Sequence, residues 1–132
     1  MKIAITGGTG FIGGRLARAL ISDGHEVVLA ARGKNREQPD LLKLPSISFA
    51  ACDVGNAVEL HNALEGCDMV VHCAGINRQQ HQSYDHVHVQ GARNLAAAAR
   101  ELNIKKIVVL SFLRARPGSG LAYHQSKWEA EE

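Results

Sequence analysis

Apolar and polar residues follow one another along this chain in blocks whose length and spacing indicate strands and helices in turn. Short apolar runs rich in β-branched residues predict five strands, and helical patterns lie between them. The predicted strands cover residues 2–6, 25–31, 47–54, 68–74 and 104–111. The predicted helices run from Gly13 to Asp23, from a cap at Asn56 to Gly66, over residues 83–103, and from Tyr123 onward.

This alternation is typical of a parallel sheet with helices on both faces, joined by right-handed crossovers. We therefore predict an α/β, Rossmann-type doubly wound domain of about five strands over residues 1–132. A full dinucleotide fold has a sixth strand, and none follows the last helical pattern. The pattern thus predicts the N-terminal part of a longer protein. By itself this chain is expected to expose apolar surface, and so to self-associate or to have a loosened C-terminal helix.

Composition narrows the classes of function. Fifteen Lys and Arg against thirteen Asp and Glu give a net charge of +2, which argues against nucleic acid as a partner. No apolar run approaches the roughly 18 residues that a membrane span requires. The three cysteines are odd in number and form no CxxC motif, so we expect a reducing, cytoplasmic location.

A glycine-rich segment joins the first predicted strand to the first predicted helix. It reads Thr6-Gly7-Gly8-Thr9-Gly10-Phe11-Ile12-Gly13. The first glycine of such a motif permits a tight turn, the second lets the backbone approach a pyrophosphate, and the third lets helix and strand pack. The free N–H groups at the helix N-terminus then hold the anion. The strand–turn–helix context predicts a dinucleotide site, the alternative being a tight turn without a ligand. The residues expected to contact the cofactor here are Gly7, Thr9, Gly10, Phe11, Ile12 and Gly13.

The end of the second strand favours NADP as cofactor. An NAD-specific fold places a carboxylate there for the ribose hydroxyls, whereas this chain has Ala30-Ala31-Arg32, and Glu26 lies at the other end of the strand. Arg32 can pair with a 2′-phosphate, supported by Lys34 and Arg36. We therefore predict NADP, with NAD as the alternative. The competing interpretation is that these cations form a solvated loop.

Two further strand ends carry candidate cofactor contacts. Asp53 can accept a hydrogen bond from the adenine amino group while Val54 touches the ring; alternatively Asp53 is a carboxylate favoured by a helix N-terminus. After the fourth strand, the small residues of Cys73-Ala74-Gly75 let the backbone run beside the cofactor ribose, although a plain turn would look the same. Cys73 is otherwise a candidate reactive thiol, or simply a small buried strand residue.

The catalytic candidates are Tyr123, Lys127 and Ser111. Tyr123 and Lys127 are four residues apart and therefore share one helical face. A protonated lysine near a phenol favours the phenolate, which suits a general acid/base in carbinol–carbonyl exchange. Lys127 can also bond the nicotinamide ribose. Ser111 ends the fifth strand, where open α/β sheets place ligand groups, and its hydroxyl can polarise the same carbonyl oxygen.

Taken together, these residues resemble the short-chain dehydrogenase/reductase superfamily. TGGTGFIG is similar to the glycine motif of its extended and atypical branches, and YHQSK matches its YxxxK signature. Residues 109–131 are most similar to the atypical group, which includes NAD(P)-dependent epimerase/dehydratase-like proteins and the Rossmann accessory subunit of respiratory complex I. The resemblance implies an oxidoreductase or epimerase/dehydratase that acts on a small-molecule substrate. It implies that Tyr123 is the acid/base, Lys127 its partner on the ribose and Ser111 the residue that orients the substrate.

The resemblance has departures, and they leave a second hypothesis open. Many relatives carry Asn where this chain has His88, and in the short-type enzymes that Asn supports a proton-relay water. The C-terminal half that sets substrate specificity in the extended branch is absent. A non-catalytic NADP(H)-binding module, such as a redox sensor or an assembly subunit, is therefore the alternative function. A flavin- or nucleotide-sugar-binding protein would leave Tyr123 and Lys127 without a role.

The histidines do not predict a metal site. His81, His86 and His88 are separated by five and two residues, so neither interval puts two ligands on one helix face. No cysteine or carboxylate completes a zinc pattern beside them.

Overall fold

The computed structural model describes residues 1–33 and 40–132. Its centre is a parallel five-stranded sheet in the order β3-β2-β1-β4-β5. The strands are β1 (Lys2–Thr6), β2 (Glu26–Ala31), β3 (Ile47–Ala51), β4 (Met69–His72) and β5 (Lys106–Val109). The predicted Rossmann-type α/β fold is therefore confirmed. The chain runs outward from β1 to β3, then crosses back to β4, so the strand order reverses between β1 and β4.

The α-helices are α1 (Phe11–Ser22), α2 (Ala57–Leu64), α3 (Gly91–Glu101) and α4 (Ala122–Glu131). A 3₁₀ turn covers Leu41–Lys43, and a π-helical segment, Asp85–Gln90, leads directly into α3. The single long helix predicted over residues 83–103 is thus a π-helix followed by an α-helix. In the described ranges, no helix combines the length and the apolar character that a bilayer crossing requires.

Two apolar clusters cover the two faces of the sheet. Side chains alternate along a strand, so Ala4 joins one cluster and Ile5 the other. The first cluster gathers α2 and α3 around Leu60 and Leu95, and the second packs α1 and Leu41 against β2. Each fully buried leucine contributes about 1.5–3 kcal/mol, so these clusters hold the sheet and helices together.

The turn after β3 shows why that strand is shorter than predicted. The Gly55 N–H donates to the side chain of Asp53 (2.9 Å), which bends the chain away from the sheet. Asn56 then caps α2, as predicted, because its Oδ1 accepts from the N–H groups of Val58 (3.1 Å) and Glu59 (3.2 Å). The turn places Asp53 and Val54 beyond the carboxyl edge of the sheet, where the candidate site lies.

The β5 edge of the sheet is open to solvent. In the residues that the structure describes, β5 pairs with β4 on one side and with no strand on the other. Ile107, Val108 and Val109 are each about 40% exposed. These residues form an apolar sheet edge, as the sequence pattern predicts for this chain.

Candidate functional site

Two adjoining cavities lie along the carboxyl ends of the strands, and they share Gly10 and Gly75 as lining residues. Apart from Lys34 and Arg36, which the structure does not describe, the residues assigned above to catalysis or to cofactor contact line one of them. The first cavity has a volume of about 220 Å³, and the assigned residues in its lining are Gly7, Thr9, Gly10, Arg32, Asp53, Val54, Ala74 and Gly75. The second has a volume of about 460 Å³, and the assigned residues in its lining are Gly10, Phe11, Ile12, Gly13, Cys73, Gly75, Ser111, Tyr123 and Lys127.

The glycine turn is packed too closely for side chains. Gly7 has φ +67°, and a Cβ there would lie 2.9 Å from the backbone of Ala74. A Cβ on Gly13 would lie 2.5 Å from the carbonyl oxygen of Gly7, so Gly13 packs against the turn itself. A Cβ on Gly8, which lies in the turn, would lie 2.8 Å from the Ile5 carbonyl oxygen, so the turn also packs closely on β1.

The first turn of α1 opens on the second cavity. Gly10 is the N-cap residue and has no side chain with which to satisfy the first N–H groups of the helix. Residues 10–13 all line this cavity. Exposed helix N–H groups and the positive end of the helix dipole bind anions such as a pyrophosphate.

Arg32 lies at the mouth of the first cavity. It is exposed and follows directly on β2. The hydroxyl of Thr9 donates to the carbonyl oxygen of Gly33 (3.1 Å), which ties the start of this loop to the glycine turn. Lys34 and Arg36, the predicted supporting cations, lie outside the described residues.

Asp53 is held by three donors, two of which sequence reasoning missed. Its carboxylate accepts from the Gly55 N–H, from Gln82 Nε2 (2.9 Å) and from His86 Nε2 (3.0 and 3.1 Å to the two oxygens). Partial burial raises the pKa of Asp53, but the hydrogen bonds from His86 and Gly55 outweigh this and the pKa is lowered. The alternative role at the N-terminus of α2 is taken by Asn56.

Two buried side chains, those of Thr6 and His72, join β1 to β4 beneath the glycine turn. The hydroxyl of Thr6 accepts from the Ala74 N–H (3.3 Å) and forms a hydrogen bond with His72 Nδ1 (2.7 Å). Burial lowers the pKa of His72 to about 4, and the nearby Lys127 ammonium contributes. His72 is therefore neutral at pH 7 and braces the strand end that carries Ala74.

Tyr123 and Lys127 both face the second cavity from α4. The Tyr123 ring packs edge-on against Phe112 (5.3 Å between ring centroids) and His88 (5.6 Å). Lys127 is buried and donates from Nζ to the carbonyl oxygen of Leu110 (3.0 Å), at the end of β5. Burial lowers the pKa of Lys127. Cys73 lines the same cavity, and burial raises the pKa of its thiol, so it is not an activated nucleophile.

His88 connects the Tyr123 helix to the loop after β4. Its Nε2 accepts from the Ile76 N–H (3.0 Å), which leaves the proton on Nδ1, 2.8 Å from the hydroxyl of Ser126. That hydroxyl donates to the backbone carbonyl of Tyr123 (2.9 Å). Burial lowers the pKa of His88 to about 4. His88 thus links Ser126 on α4 to the loop after β4.

Ser111 shares the second cavity with Tyr123 but has a partner that was not predicted. Its hydroxyl donates to a carboxylate oxygen of Glu131, one helical turn beyond Lys127. In this structure the Ser111 proton is therefore directed at Glu131. The four-residue spacing of Tyr123, Lys127 and Glu131 was the sequence signal for this contact.

The three histidines that were considered as metal ligands differ in their surroundings. His86 contacts Asp53, His88 contacts Ile76 and Ser126, and His81 is exposed. Within residues 1–33 and 40–132, no group of three His, Cys, Asp or Glu side chains is arranged to hold a metal ion. The two-residue spacing of His86 and His88 indicated that they lie on different faces of a helix. No feature of the sequence predicted the contact of Gln82 with Asp53.

Comparison with known proteins gives the family and the fold. The family model described as NAD dependent epimerase/dehydratase family matches residues 3–112. The ceramide reductase of Caulobacter vibrioides is 34% identical over 131 residues, which is 98% of this chain and 40% of that protein. The photosystem II assembly factor Ycf39 of Synechocystis is 30% identical over 115 residues, 87% of this chain and 35% of that protein.

A solved structure similar to this one is the Bordetella bronchiseptica enzyme WbmG in complex with NAD, with a TM-score of 0.82 and 24% identity. The match covers 99% of this chain and 48% of that one. This chain therefore spans less than half the length of each of these three proteins.

Proposed function

The chain belongs to the NAD dependent epimerase/dehydratase family, and we propose that it is the NADP(H)-binding part of an oxidoreductase or epimerase/dehydratase. The proposed reaction is hydride transfer between the cofactor and a carbinol or carbonyl carbon. Tyr123 exchanges the proton with the substrate oxygen. A small-molecule substrate, rather than nucleic acid, is expected in the second cavity.

One observation carries this proposal. The two cavities join at Gly10 and Gly75, and together they run from Arg32 and Asp53 at one end to Tyr123 and Lys127 at the other. A dinucleotide is an elongated ligand with two nucleoside ends and a central pyrophosphate. The N-terminus of α1, with its free N–H groups, lies where the two cavities meet and suits the pyrophosphate. The side chains at the two ends differ, as the two different nucleosides of such a ligand require.

The residues present fit the parts of the cofactor. Asp53 and Val54 would hold adenine, Arg32 the 2′-phosphate, residues 7–13 the pyrophosphate, and residues 73–75 with Lys127 the nicotinamide side. When bound, the nicotinamide ring supplies or accepts the hydride. Arg32 favours NADP because a guanidinium pairs with a phosphate through charge-assisted hydrogen bonds, while no carboxylate stands at the end of β2 to bind ribose hydroxyls.

Three side chains would handle the substrate proton. Tyr123 is the acid/base at the substrate oxygen, and the Lys127 ammonium stabilises its phenolate. This proposal is supported by the shared position of Tyr123 and Lys127 in the second cavity, where Lys127 Nζ is anchored to the Leu110 carbonyl. Ser111 orients the substrate oxygen once its hydroxyl turns from Glu131 to the ligand.

The test is substitution of the phenol alone. Tyr123→Phe keeps the ring that packs on Phe112 and His88, so the fold and the cofactor site are preserved. NADPH consumption, measured with a panel of aldehydes and ketones on the protein that carries this chain, should fall by about 10²-fold or more. NADPH affinity should change less than about twofold.

Lys127→Ala is the companion variant, and it should weaken both turnover and NADPH binding because Lys127 serves both. Turnover that is unchanged in Tyr123→Phe would contradict the acid/base role of Tyr123.

A non-catalytic NADP(H)-binding module is the second candidate. It is favoured by the Ser111 hydroxyl, which is bound to Glu131 rather than free for a substrate, and by the similarity to an assembly factor. This candidate predicts NADPH binding by the wild type with no turnover on any carbonyl of the panel.

We also propose that the chain is located in the cytoplasm. Cys52 and Cys67 are buried as free thiols, and Cys73 is also unpaired. Free thiols of this kind persist in a reducing compartment.

A further inference from the structure

The carboxylate of Asp53 is fixed in orientation by side chains from a distant part of the chain. One oxygen, Oδ1, accepts from the Gly55 N–H (2.9 Å), and the other, Oδ2, accepts from Gln82 Nε2 (2.9 Å). His86 Nε2 lies between the two oxygens, 3.1 Å from Oδ1 and 3.0 Å from Oδ2. An ionised carboxylate offers about four acceptor positions, so three donors leave about one.

His86 reaches Asp53 because residue 55 is a glycine. A Cβ on Gly55 would lie 2.1 Å from His86 Nε2 and 2.2 Å from His86 Cε1. These atoms belong to the end of a side chain that is 41% exposed, so a methyl group there would push the ring outward into solvent. The imidazole thus occupies the space that any larger residue at position 55 would fill.

His86 lies where it would not contact a ligand in the first cavity directly. Asp53 and Gln82 line the first cavity, whereas His86 does not. The His86 N–H donates to the hydroxyl of Ser83 (3.0 Å), which fixes the backbone at the start of the π-helical segment. His86 therefore acts on the cavity through Asp53.

We propose that His86 is a positioning residue that holds Asp53 as a selective acceptor for the adenine amino group, an inference that rests on the proposed dinucleotide function. With Gly55, Gln82 and His86 bound, the carboxylate presents its remaining acceptor position to the cavity. An amino group donates to that position. A base with a carbonyl oxygen at the same place meets a carboxylate that can only accept, so two acceptors face each other without a proton.

The test compares NADPH with nicotinamide hypoxanthine dinucleotide phosphate in its reduced form, in which a carbonyl oxygen replaces the adenine amino group. Titration calorimetry gives the affinity of the chain for each compound. We expect the wild type to bind NADPH about tenfold or more tightly than the analogue. In His86→Ala this ratio should fall to about twofold, because the carboxylate loses the donor that bridges its two oxygens and is held less firmly by Gly55 and Gln82 alone.

Two variants control for a merely structural effect. His86→Gln retains an N–H donor at the same remove from the backbone and should restore most of the wild-type ratio. His81→Ala removes a neighbouring exposed histidine, with no hydrogen bond in the described structure, and should leave the ratio unchanged.

Gly55→Ala tests the same contact from the other side. The added methyl group displaces the imidazole, so Gly55→Ala should lower the ratio as His86→Ala does. In the double variant the second change should add nothing, because the contact is already lost.

A ratio that is unchanged in both His86→Ala and Gly55→Ala, with NADPH still bound, would overturn the role of His86 alone. A wild type that binds neither compound would overturn the proposed function and this inference together.

Discussion

His72 and His88 are buried neutral imidazoles that are hydrogen-bonded to their neighbours. His72 Nδ1 bonds the Thr6 hydroxyl, and His88 Nε2 accepts from the Ile76 N–H. Protonation would remove the acceptor on His88, and in both residues it would place a charge near the Lys127 ammonium. The pKa of each is accordingly lowered from 6.5 to about 4, chiefly by burial.

Stability should therefore fall between pH 7 and pH 5. The unfolded chain takes up a proton at each histidine near pH 6.5, while the folded chain does not until about pH 4, so acid favours the unfolded state across this interval. One such histidine lowers the free energy of unfolding by about 2 kcal/mol between these pH values. Urea denaturation at pH 7 and pH 5 measures the change.

The variants His72→Asn and His81→Asn test whether His72 contributes to this loss of stability. The pH dependence should be smaller in His72→Asn and unchanged in His81→Asn, because His81 is exposed. Equal free energies of unfolding at the two pH values in the wild type would contradict the neutral buried state.

The residues that the sequence analysis proposed for the site line the two cavities, but their hydrogen-bond partners were not predicted. Tyr123 and Lys127 share a helical face by spacing alone, and both line the second cavity. The contact of Asp53 with His86 joins residues 33 apart in sequence. It depends on a glycine at position 55 and on the path of a loop, and neither carries a periodic signal.

At the scale of elements, α4 carries Tyr123 and Lys127, on which the proposed chemistry depends. Contacts that hold α4 include the bond of Lys127 to the Leu110 carbonyl and that of His88 to Ser126. The π-helical segment Asp85–Gln90 presents His88 to α4 and His86 to Asp53. Segments of this kind are frequent at functional sites.

Removal of the His88 imidazole should loosen α4. His88→Ala leaves the Ile76 N–H without its acceptor and Ser126 without its donor. Amide hydrogen exchange over residues 122–131 should become about tenfold faster, because a lost hydrogen-bond network costs about 1–3 kcal/mol. Exchange in α1, which His88 does not touch, is the internal control. Unchanged protection of α4 would show that His88 does not hold it.

Element type was predictable, whereas element boundaries were not. The apolar runs identified every strand of the sheet, but the predicted third strand, 47–54, ends at Ala51. The Asx turn at Asp53 supplies the reason, since it redirects the backbone by a side-chain hydrogen bond. The π-helical segment was not predicted, because the apolar pattern of the sequence indicates a helix without distinguishing i→i+5 from i→i+4 hydrogen bonds.

At the scale of the whole molecule, the sheet has one apolar edge. Ile107, Val108 and Val109 of β5 are about 40% exposed, and an unpaired strand edge is a template for association with another chain. The alternation of strands and helices, with no sixth strand, predicted this exposed apolar surface.

This edge predicts self-association of the isolated chain. Sedimentation velocity should show an average mass that rises with protein concentration. Val108→Lys should reduce the association, because a charge on an edge strand opposes strand pairing. Val58→Lys is the matched control, since Val58 is 69% exposed on α2, away from this edge. A wild type that stays monomeric at all concentrations, or an equal effect of both variants, would contradict association through β5.

The central claim is that a dinucleotide occupies the two joined cavities with its 2′-phosphate on Arg32. Titration calorimetry of the chain with NADPH and with NADH, in the wild type and in Arg32→Ala, tests it most directly. The account predicts one NADPH per chain and about tenfold to hundredfold weaker binding of NADH, from the strength of a charge-assisted pair. That preference should shrink at high salt and be largely lost in Arg32→Ala. Equal affinities of the wild type for the two nucleotides would contradict the role of Arg32, and no binding of either would contradict the account as a whole.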